Sequence, residues 1–166
     1  MGTVDRRDFI LSLAAITAGG HAAAQGAPGT TILVLGDSMS AEYGLARGTG
    51  WVALLAQRLA QQKIAAEVVN ASISGDTTAG GRARLPALLA QHRPSVVVIE
   101  LGGNDALRGL PLQSTEANLT AMAQAARKAG ARVLLVGMQV PPNYGADYTR
   151  RFAALFHTVA QAQKAA

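Results

Sequence analysis

The run Ile32-Leu33-Val34-Leu35-Gly36-Asp37-Ser38-Met39-Ser40 decides how the rest of the chain is interpreted. Its apolar half is typical of a buried β-strand, which is predicted to end at Gly36. A small polar segment follows before the next helical pattern begins. A serine in this position has its hydroxyl exposed at the carboxyl end of a strand, where open α/β sheets bind their ligands. Ser38 is therefore predicted to be the nucleophile of a hydrolase.

The composition is that of a single globular domain. Of the 166 residues, 49% are hydrophobic and only 15% are charged, which excludes an intrinsically disordered chain. The formal net charge is +5, but the basic residues are scattered and form no stripe interleaved with aromatics, so no nucleic-acid partner is expected. Because the chain has no cysteine, disulfides, thiolate metal sites and a cysteine nucleophile are excluded. No metal or other cofactor is expected.

Residues 1–24 have the features of an export signal rather than of the folded domain. The pair Arg6-Arg7 precedes an apolar run, Phe9 to Ala18, that is too short for a membrane span of roughly 20 residues. The small residues Ala22-Ala23-Ala24 suit a signal peptidase, and the arginine pair resembles the twin-arginine signal of bacterial export. An uncleaved amphipathic tail is the alternative. We expect a periplasmic or secreted protein without stable membrane insertion, whose domain occupies residues 25–166.

Strands alternate with helical patterns along the mature chain, which is typical of a parallel sheet with crossover helices. The predicted strands are Thr31–Leu35, Glu67–Ala71, Ser95–Leu101 and Arg132–Val140. The predicted helices are Gly50 to about Lys63, Thr77 to about His92 with an interruption at Pro86, Ser114 to about Ala129 with Ser114 or Thr115 as its cap, and Tyr148 to about Lys164. Because the strands are parallel and the crossovers right-handed, the loops after all four strands lie on one rim of the sheet. In chain order, these first to fourth loops are Gly36–Gly50, Ser72–Thr78, Gly102–Pro111 and Pro141–Asp147.

Three of these loops carry groups that acyl transfer requires. That chemistry needs a nucleophile and hydrogen-bond donors about 3 Å from the oxygen that becomes negative. The Gly75 N–H is accessible because no Cβ shields it, and the Asn104 amide is a neutral donor. Each residue also has a simpler interpretation: Ser38 as a helix cap, Gly75 as a turn residue and Asn104 as part of an Asx turn. Their positions after three strands of one sheet favour an oxyanion site.

The same loops resemble the first three sequence blocks of the SGNH (GDSL-type) hydrolases. The matching segments are Gly36-Asp37-Ser38-Met39-Ser40, the glycine of Ser74-Gly75-Asp76, and Gly102-Gly103-Asn104-Asp105. The similarity covers about Thr30 to Phe156 and is closest to the bacterial arylesterase, acyl-CoA thioesterase and lysophospholipase group. It implies a flavodoxin-like three-layer α/β sandwich whose parallel sheet has four strands here, with the family's fifth strand missing.

The resemblance also implies roles for individual residues. Ser38 is the nucleophile, and the N–H groups of Ser38 and Gly75 form the oxyanion hole together with the Asn104 side chain. Asp37 and Asp105 support this site. A mobile, partly apolar loop adjoins the acyl chain, and it includes Leu107, Arg108, Gly109, Leu110 and Pro111. The expected partner is a small acyl ester, thioester or lysophospholipid substrate.

The family's fourth block, Asp-x-x-His, supplies the general base and the aspartate that orients it, and the 166 residues do not contain it. His21 lies in the signal, His92 ends the second helix and His157 lies within the last helix. Glu100 is expected to anchor the rim loops by hydrogen bonds. The domain is therefore expected to be C-terminally truncated, with an exposed edge on the fourth strand.

Three functions follow from these observations. The first is a serine esterase that acts through an acyl-enzyme. The second is a catalytically impaired hydrolase that binds lipid or acyl ligands without turnover, because the base is missing. The third, a nucleotide or flavin binder, is disfavoured because the first loop carries Asp37 and Glu42 and has no lysine to hold a phosphate.

Overall fold

The computed structural model describes residues 29–166, so the predicted export signal lies outside the described residues. Four parallel strands form one sheet in the order β2-β1-β3-β4. Their bounds are Thr30–Gly36 for β1, Ala66–Asn70 for β2, Val96–Glu100 for β3 and Arg132–Leu135 for β4. The predicted parallel α/β sheet of four strands is confirmed.

Helices cover both faces of this sheet. Their bounds are Trp51–Gln61 for α1, Thr78–His92 for α2, Gly103–Leu107 for α3, Leu112–Lys128 for α4 and Ala146–Gln163 for α5, with a 3₁₀ turn at Pro142–Tyr144. No helix within residues 29–166 is long and apolar enough to cross a membrane.

Successive side chains of the strands point to opposite faces of the sheet and contribute to two core clusters, as the two-residue period of a β-strand requires. On one face, Leu33 and Leu35 of β1 pack in the main core with side chains from α2, α4 and α5. On the other face, Val34 of β1 and Val98 of β3 form a smaller cluster with Val52 of α1. The two central strands, β1 and β3, are thus buried on both sides, which explains their nearly continuous apolar sequences.

The register brings the first and third loops together. Gly36 at the end of β1 pairs with Glu100 at the end of β3, so the two strands end at the same level. In the second loop, Ile73 donates its N–H to the Gly36 carbonyl over 3.0 Å. The carboxyl edge of the sheet therefore places these three loops side by side.

The predicted interruption of α2 at Pro86 is wrong, because the helix continues to His92. Pro86 is exposed, so the Arg82 carbonyl that loses its helical partner can be solvated. Leu85 and Leu89 are buried in the main core and hold the helix on both sides of the proline.

The predicted cap of α4 is also wrong. The helix begins at Leu112 after Pro111, and Ser114 lies in its first turn, where its N–H donates to the Pro111 carbonyl over 3.0 Å. Thr115 is buried, and its hydroxyl donates to Asp105 instead of capping the helix. The Thr115 side chain, which local spacing predicts to be a helix cap, thus forms a contact between α3 and α4 instead.

Strand β4 ends at Leu135, five residues before the predicted end at Val140. Because β3 ends at Glu100, the apolar residues that follow Val136 have no neighbouring strand with which to pair. The outer edge of β4 is partly covered, since Leu135 donates its N–H to the Ala166 carbonyl over 2.8 Å and Ala166 donates its own to Val133 over 3.0 Å. The expected exposed edge is therefore only partly exposed.

The main core makes a direct prediction for α4. Leu119 is completely buried in it, so Leu119→Ala should lower the free energy of unfolding by about 2–5 kcal/mol through lost apolar contacts and a residual cavity. Gln124→Ala, at an exposed position of the same helix, should change it by less than about 0.5 kcal/mol. Urea unfolding of both variants measures the difference, and equal losses would contradict this account of the core.

Candidate active site

Ser38 lies immediately after β1 in a turn rather than at the start of a helix. The Asp37 carbonyl accepts hydrogen bonds from the N–H groups of Ser40 at 3.2 Å and Ala41 at 2.9 Å. This turn is not continued into a regular helix, and α1 begins only at Trp51. The simpler interpretation of Ser38 as a helix cap therefore does not apply.

Asn104 connects all three loops through one amide nitrogen. Its Nδ2 donates to Oδ2 of Asp37 over 3.0 Å and to the carbonyl of Asp76 over 2.9 Å. The side chain thus joins its own loop to the residue before Ser38 and to the residue after Gly75. Because an amide has two N–H donors, a substrate oxygen would have to share or displace one of these bonds.

Asp37 is buried, with only 3% of its surface exposed. Burial raises the pKa of its carboxyl, whereas hydrogen bonds from the Met39 N–H at 3.1 Å and from Asn104 act in the opposite direction. The negative charges of Asp76 and Asp105 raise this pKa further. Asp37 therefore orients Asn104 and the turn that carries Ser38 without facing solvent.

Gly75 occupies a backbone conformation that favours glycine, with φ at +81°. The turn around it is closed by the Asp76 N–H, which donates to the Ile73 carbonyl over 3.1 Å. Within residues 29–166, neither the Gly75 N–H nor the Ser38 N–H has a hydrogen-bond acceptor. Both donors are therefore available to a ligand at this rim, as an oxyanion site requires.

Arg84 holds the second loop from within the protein, and the sequence analysis missed it. Its Nε donates to Oδ2 of Asp76 over 2.8 Å, and its Nη atoms donate to the carbonyls of Ala71 and Gly36. Asp76 lies eight residues earlier, outside the three- or four-residue spacing that signals an ion pair within a helix. No local sequence pattern could have indicated this contact.

Asp105 joins three helices from a buried position. Its carboxylate accepts hydrogen bonds from the Thr78 N–H at 2.9 Å, from the Thr78 hydroxyl and from the Thr115 hydroxyl at 3.3 Å. These partners belong to the starts of α2 and α4, and Asp105 itself belongs to α3. Asp105 therefore fixes Asn104, its neighbour in the sequence, relative to the sheet.

Glu100 anchors the first loop, as expected from its position at the end of β3. Its Oε2 accepts a hydrogen bond from the Ser40 hydroxyl at 2.6 Å and a longer one from the Asp37 N–H at 3.4 Å. Trp51 donates from Nε1 to Ser40 Oγ over 3.1 Å, which extends the network to α1. Glu100 is 2% exposed, its Oε1 has no partner within residues 29–166, and burial raises the pKa of its carboxyl.

A cleft of about 340 Å³ is lined by Met39, the residue that follows Ser38 in the sequence. Its walls include Met39, Leu107, Pro141 and Phe152, so they are largely apolar. Of the five predicted substrate-loop residues, only Leu107 lines this cleft, and it is the last residue of α3 rather than part of a loop. Arg108, Gly109, Leu110 and Pro111 form the connection from α3 to α4.

The two described histidines lie on α2 and α5. His92 ends α2 at the edge where β3 begins, opposite Ser38, and His157 is exposed on α5. Neither donates to or accepts from Ser38, and within residues 29–166 no group of three or more His, Cys, Asp or Glu side chains could hold a metal ion. His21 lies outside the described residues.

The buried carboxyl of Glu100 predicts a pH dependence of stability. A carboxyl whose pKa is higher in the folded chain binds its proton more tightly there, so the free energy of unfolding falls as pH rises from about 4.3 through the raised pKa. Glu100→Gln cannot titrate, so the stability of the wild type relative to this variant should fall over that range. Urea unfolding between pH 4 and 8 measures it, and Glu67→Gln, at an exposed position, is the control. A constant difference between wild type and Glu100→Gln would contradict the prediction.

Comparison with known proteins identifies the family of the chain. Residues 34–166 match the GDSL-like lipase/acylhydrolase family. Esterase TesA of Pseudomonas aeruginosa is 56% identical over 142 residues, which are 86% of this chain and 71% of that protein. Thioesterase 1/protease 1/lysophospholipase L1 of Escherichia coli is 48% identical over 131 residues, 79% of this chain and 62% of that protein. The chain thus spans about two thirds of the length of these relatives.

Solved structures show the same fold. A crystal structure of TesA superposes with a TM-score of 0.81 at 57% identity, covering 82% of this chain and 76% of that one. The esterase EstA from Pseudoalteromonas, solved in a form inhibited by monoethylphosphonate, has a TM-score of 0.79 at 43% identity, covering 82% and 74%. The resemblance inferred from the sequence blocks is confirmed, and the chain belongs to the GDSL-like lipase/acylhydrolase family.

Proposed function

We propose that this protein is a serine esterase of acyl substrates and that Ser38 is its nucleophile. The observation that carries the proposal is the junction at Asn104, whose Nδ2 ties the residue before Ser38 to the residue after Gly75. This junction brings to one strand edge a hydroxyl, a side-chain amide and two N–H groups that have no acceptor within residues 29–166. Acyl transfer is the chemistry that uses this set of groups.

In the proposed reaction, Ser38 Oγ attacks the carbonyl carbon of the substrate and its proton leaves to a base. The carbonyl oxygen becomes negative and accepts hydrogen bonds from the N–H groups of Ser38 and Gly75 and from the Asn104 amide. The tetrahedral intermediate then collapses, the base returns the proton to the leaving oxygen or sulfur, and the alcohol or thiol departs and leaves an acyl group on Ser38. Water attacks this acyl-enzyme, releases the carboxylic acid and restores the hydroxyl.

The proposed substrate is a small acyl ester or thioester, with a lysophospholipid as a further candidate. The relatives are named as an esterase, a thioesterase/lysophospholipase and an arylesterase, which supports ester hydrolysis in this chain. The apolar cleft beside Met39, with Leu107 and Phe152 on its walls, suits an acyl chain. We also propose export to the periplasm or medium, supported by the Arg6-Arg7 pair and the apolar run that follows it.

A second candidate function is ligand binding without turnover. It is supported by the positions of His92, at the end of α2, and of the exposed His157, neither of which is hydrogen-bonded to Ser38 in the described part of the chain. Without its general base, a triad enzyme loses on the order of a million-fold in rate, and the oxyanion hole and binding account for what remains. The two candidates differ in chemistry but share the same cleft.

The esterase proposal predicts that Ser38→Ala lowers hydrolysis of p-nitrophenyl acetate and butyrate to the rate in buffer, because the attacking oxygen is removed. Ser114→Ala, which removes an exposed hydroxyl from α4, should keep the wild-type rate. Release of p-nitrophenol by the purified proteins measures both. Equal turnover by the wild type and Ser38→Ala would overturn Ser38 as the nucleophile.

A supplied base should separate the two candidates. Extending the chain after Ala166 with a segment that contains Asp-x-x-His should raise turnover by at least about 100-fold, which is part of the roughly million-fold loss caused by a missing base. The matched control carries Asp-x-x-Ala in the same segment. If both versions bind a lysophospholipid in a titration and neither hydrolyses it, the binding function is correct and the esterase proposal fails.

A further inference from the structure

Arg108 forms a hydrogen-bonded bridge between two segments of the candidate site. Its Nη2 donates to the Gly75 carbonyl over 2.7 Å, although the two residues are 33 positions apart. Gly75 lies on the loop after β2. Arg108 follows the short helix α3 in the segment that connects β3 to α4. The bridge therefore connects the two loops that carry the proposed oxyanion donors, Gly75 and Asn104.

The bridge acts on the peptide unit that follows a glycine. A glycine at φ +81° has few steric limits on its neighbouring peptide planes, and a Cβ built on Gly75 would meet nothing nearer than Arg108 Nη2 at 3.8 Å. The peptide between Gly75 and Asp76 is held at both ends, since Arg108 binds its carbonyl and the Ile73 carbonyl accepts its N–H at 3.1 Å. The Gly75 N–H belongs to the preceding peptide, between Ser74 and Gly75, and is joined to this held unit through the Cα of Gly75.

Arg108 differs from Arg84, the other arginine that contacts the loop of Gly75. Arg84 is partly buried and uses its charge on Asp76. Arg108 is exposed, and no carboxylate within residues 29–166 forms an ion pair with it. Its guanidinium thus has one donor on the Gly75 carbonyl and keeps a positive charge beside the site where an oxyanion would form. Hydrogen bonds from a charged donor are stronger than those between neutral groups.

We infer that Arg108 is a positioning residue, which holds the Gly75 N–H in the orientation that stabilises the oxyanion. This inference rests on the proposed esterase function. It differs from the role expected of a substrate-loop residue, because Arg108 acts through the Gly75 peptide rather than on the acyl chain. Removing the guanidinium should therefore lower kcat and leave KM unchanged.

The test compares Arg108→Met, which removes the donors, with Arg108→Lys, which keeps one charged donor. Arg127→Met is the matched control, because Arg127 is also exposed and also donates to a carbonyl, that of Gln163 at 2.7 Å, but near the opposite end of α4. Two measurements are made on the full chain: amide hydrogen exchange of residues 72–77, and kcat and KM for p-nitrophenyl butyrate.

We expect exchange in residues 72–77 to rise about fivefold in Arg108→Met, the factor that corresponds to one hydrogen bond of about 1 kcal/mol. Arg108→Lys should recover most of the protection, and Arg127→Met should match the wild type. Turnover should follow the same order through kcat. Unchanged exchange in Arg108→Met, or a raised KM with unchanged kcat, would overturn the inference. A wild type without any turnover counts against the esterase proposal, and the exchange measurement then decides the inference alone.

Discussion

The candidate site depends on the position of a single side-chain amide. Asn104 donates to Asp37 in one loop and to the Asp76 carbonyl in another, and these two bonds align three segments that are far apart in the sequence. The bonds form because β1 and β3 are neighbours and end at the same level, with Gly36 beside Glu100. The register of β1 and β3 thus determines the geometry of the site, and Asn104 is the residue that connects the two.

This geometry depends on three carboxyl groups that are buried. Asp37, Glu100 and Asp105 are each at most 3% exposed, and a buried carboxyl is costly unless hydrogen bonds satisfy it. Asp105 accepts hydrogen bonds from Thr78 and Thr115, whereas Glu100 has donors on only one of its oxygens within residues 29–166. Burial raises the pKa values of Asp37 and Glu100 because the charged forms are poorly solvated. Burial of these carboxyls at the rim therefore lowers the stability of the fold, and perturbed pKa values of this kind are common at sites that bind or transform ligands.

Much of the fold could be predicted because its signals are local. Apolar runs marked the strands, and the alternation of strands and helices placed the loops of Ser38, Gly75 and Asn104 on one rim. The contacts of Arg84 and Arg108 could not be predicted, since each joins residues brought together only by the tertiary fold. Thr115 and Pro86 show the same limit, because core packing and a buried carboxylate override local preferences for caps and breaks.

The most direct test of the central claim is chemical labelling of the nucleophile. A p-nitrophenyl alkylphosphonate transfers its phosphonyl group to an activated serine and forms a stable adduct that mass spectrometry locates. The arrangement around Asn104 predicts one adduct per chain, on Ser38, with its rate of formation lowered by about 100- to 1,000-fold in Asn104→Ala. An adduct on another residue, or equal labelling of Ser38 in Asn104→Ala, would contradict the account.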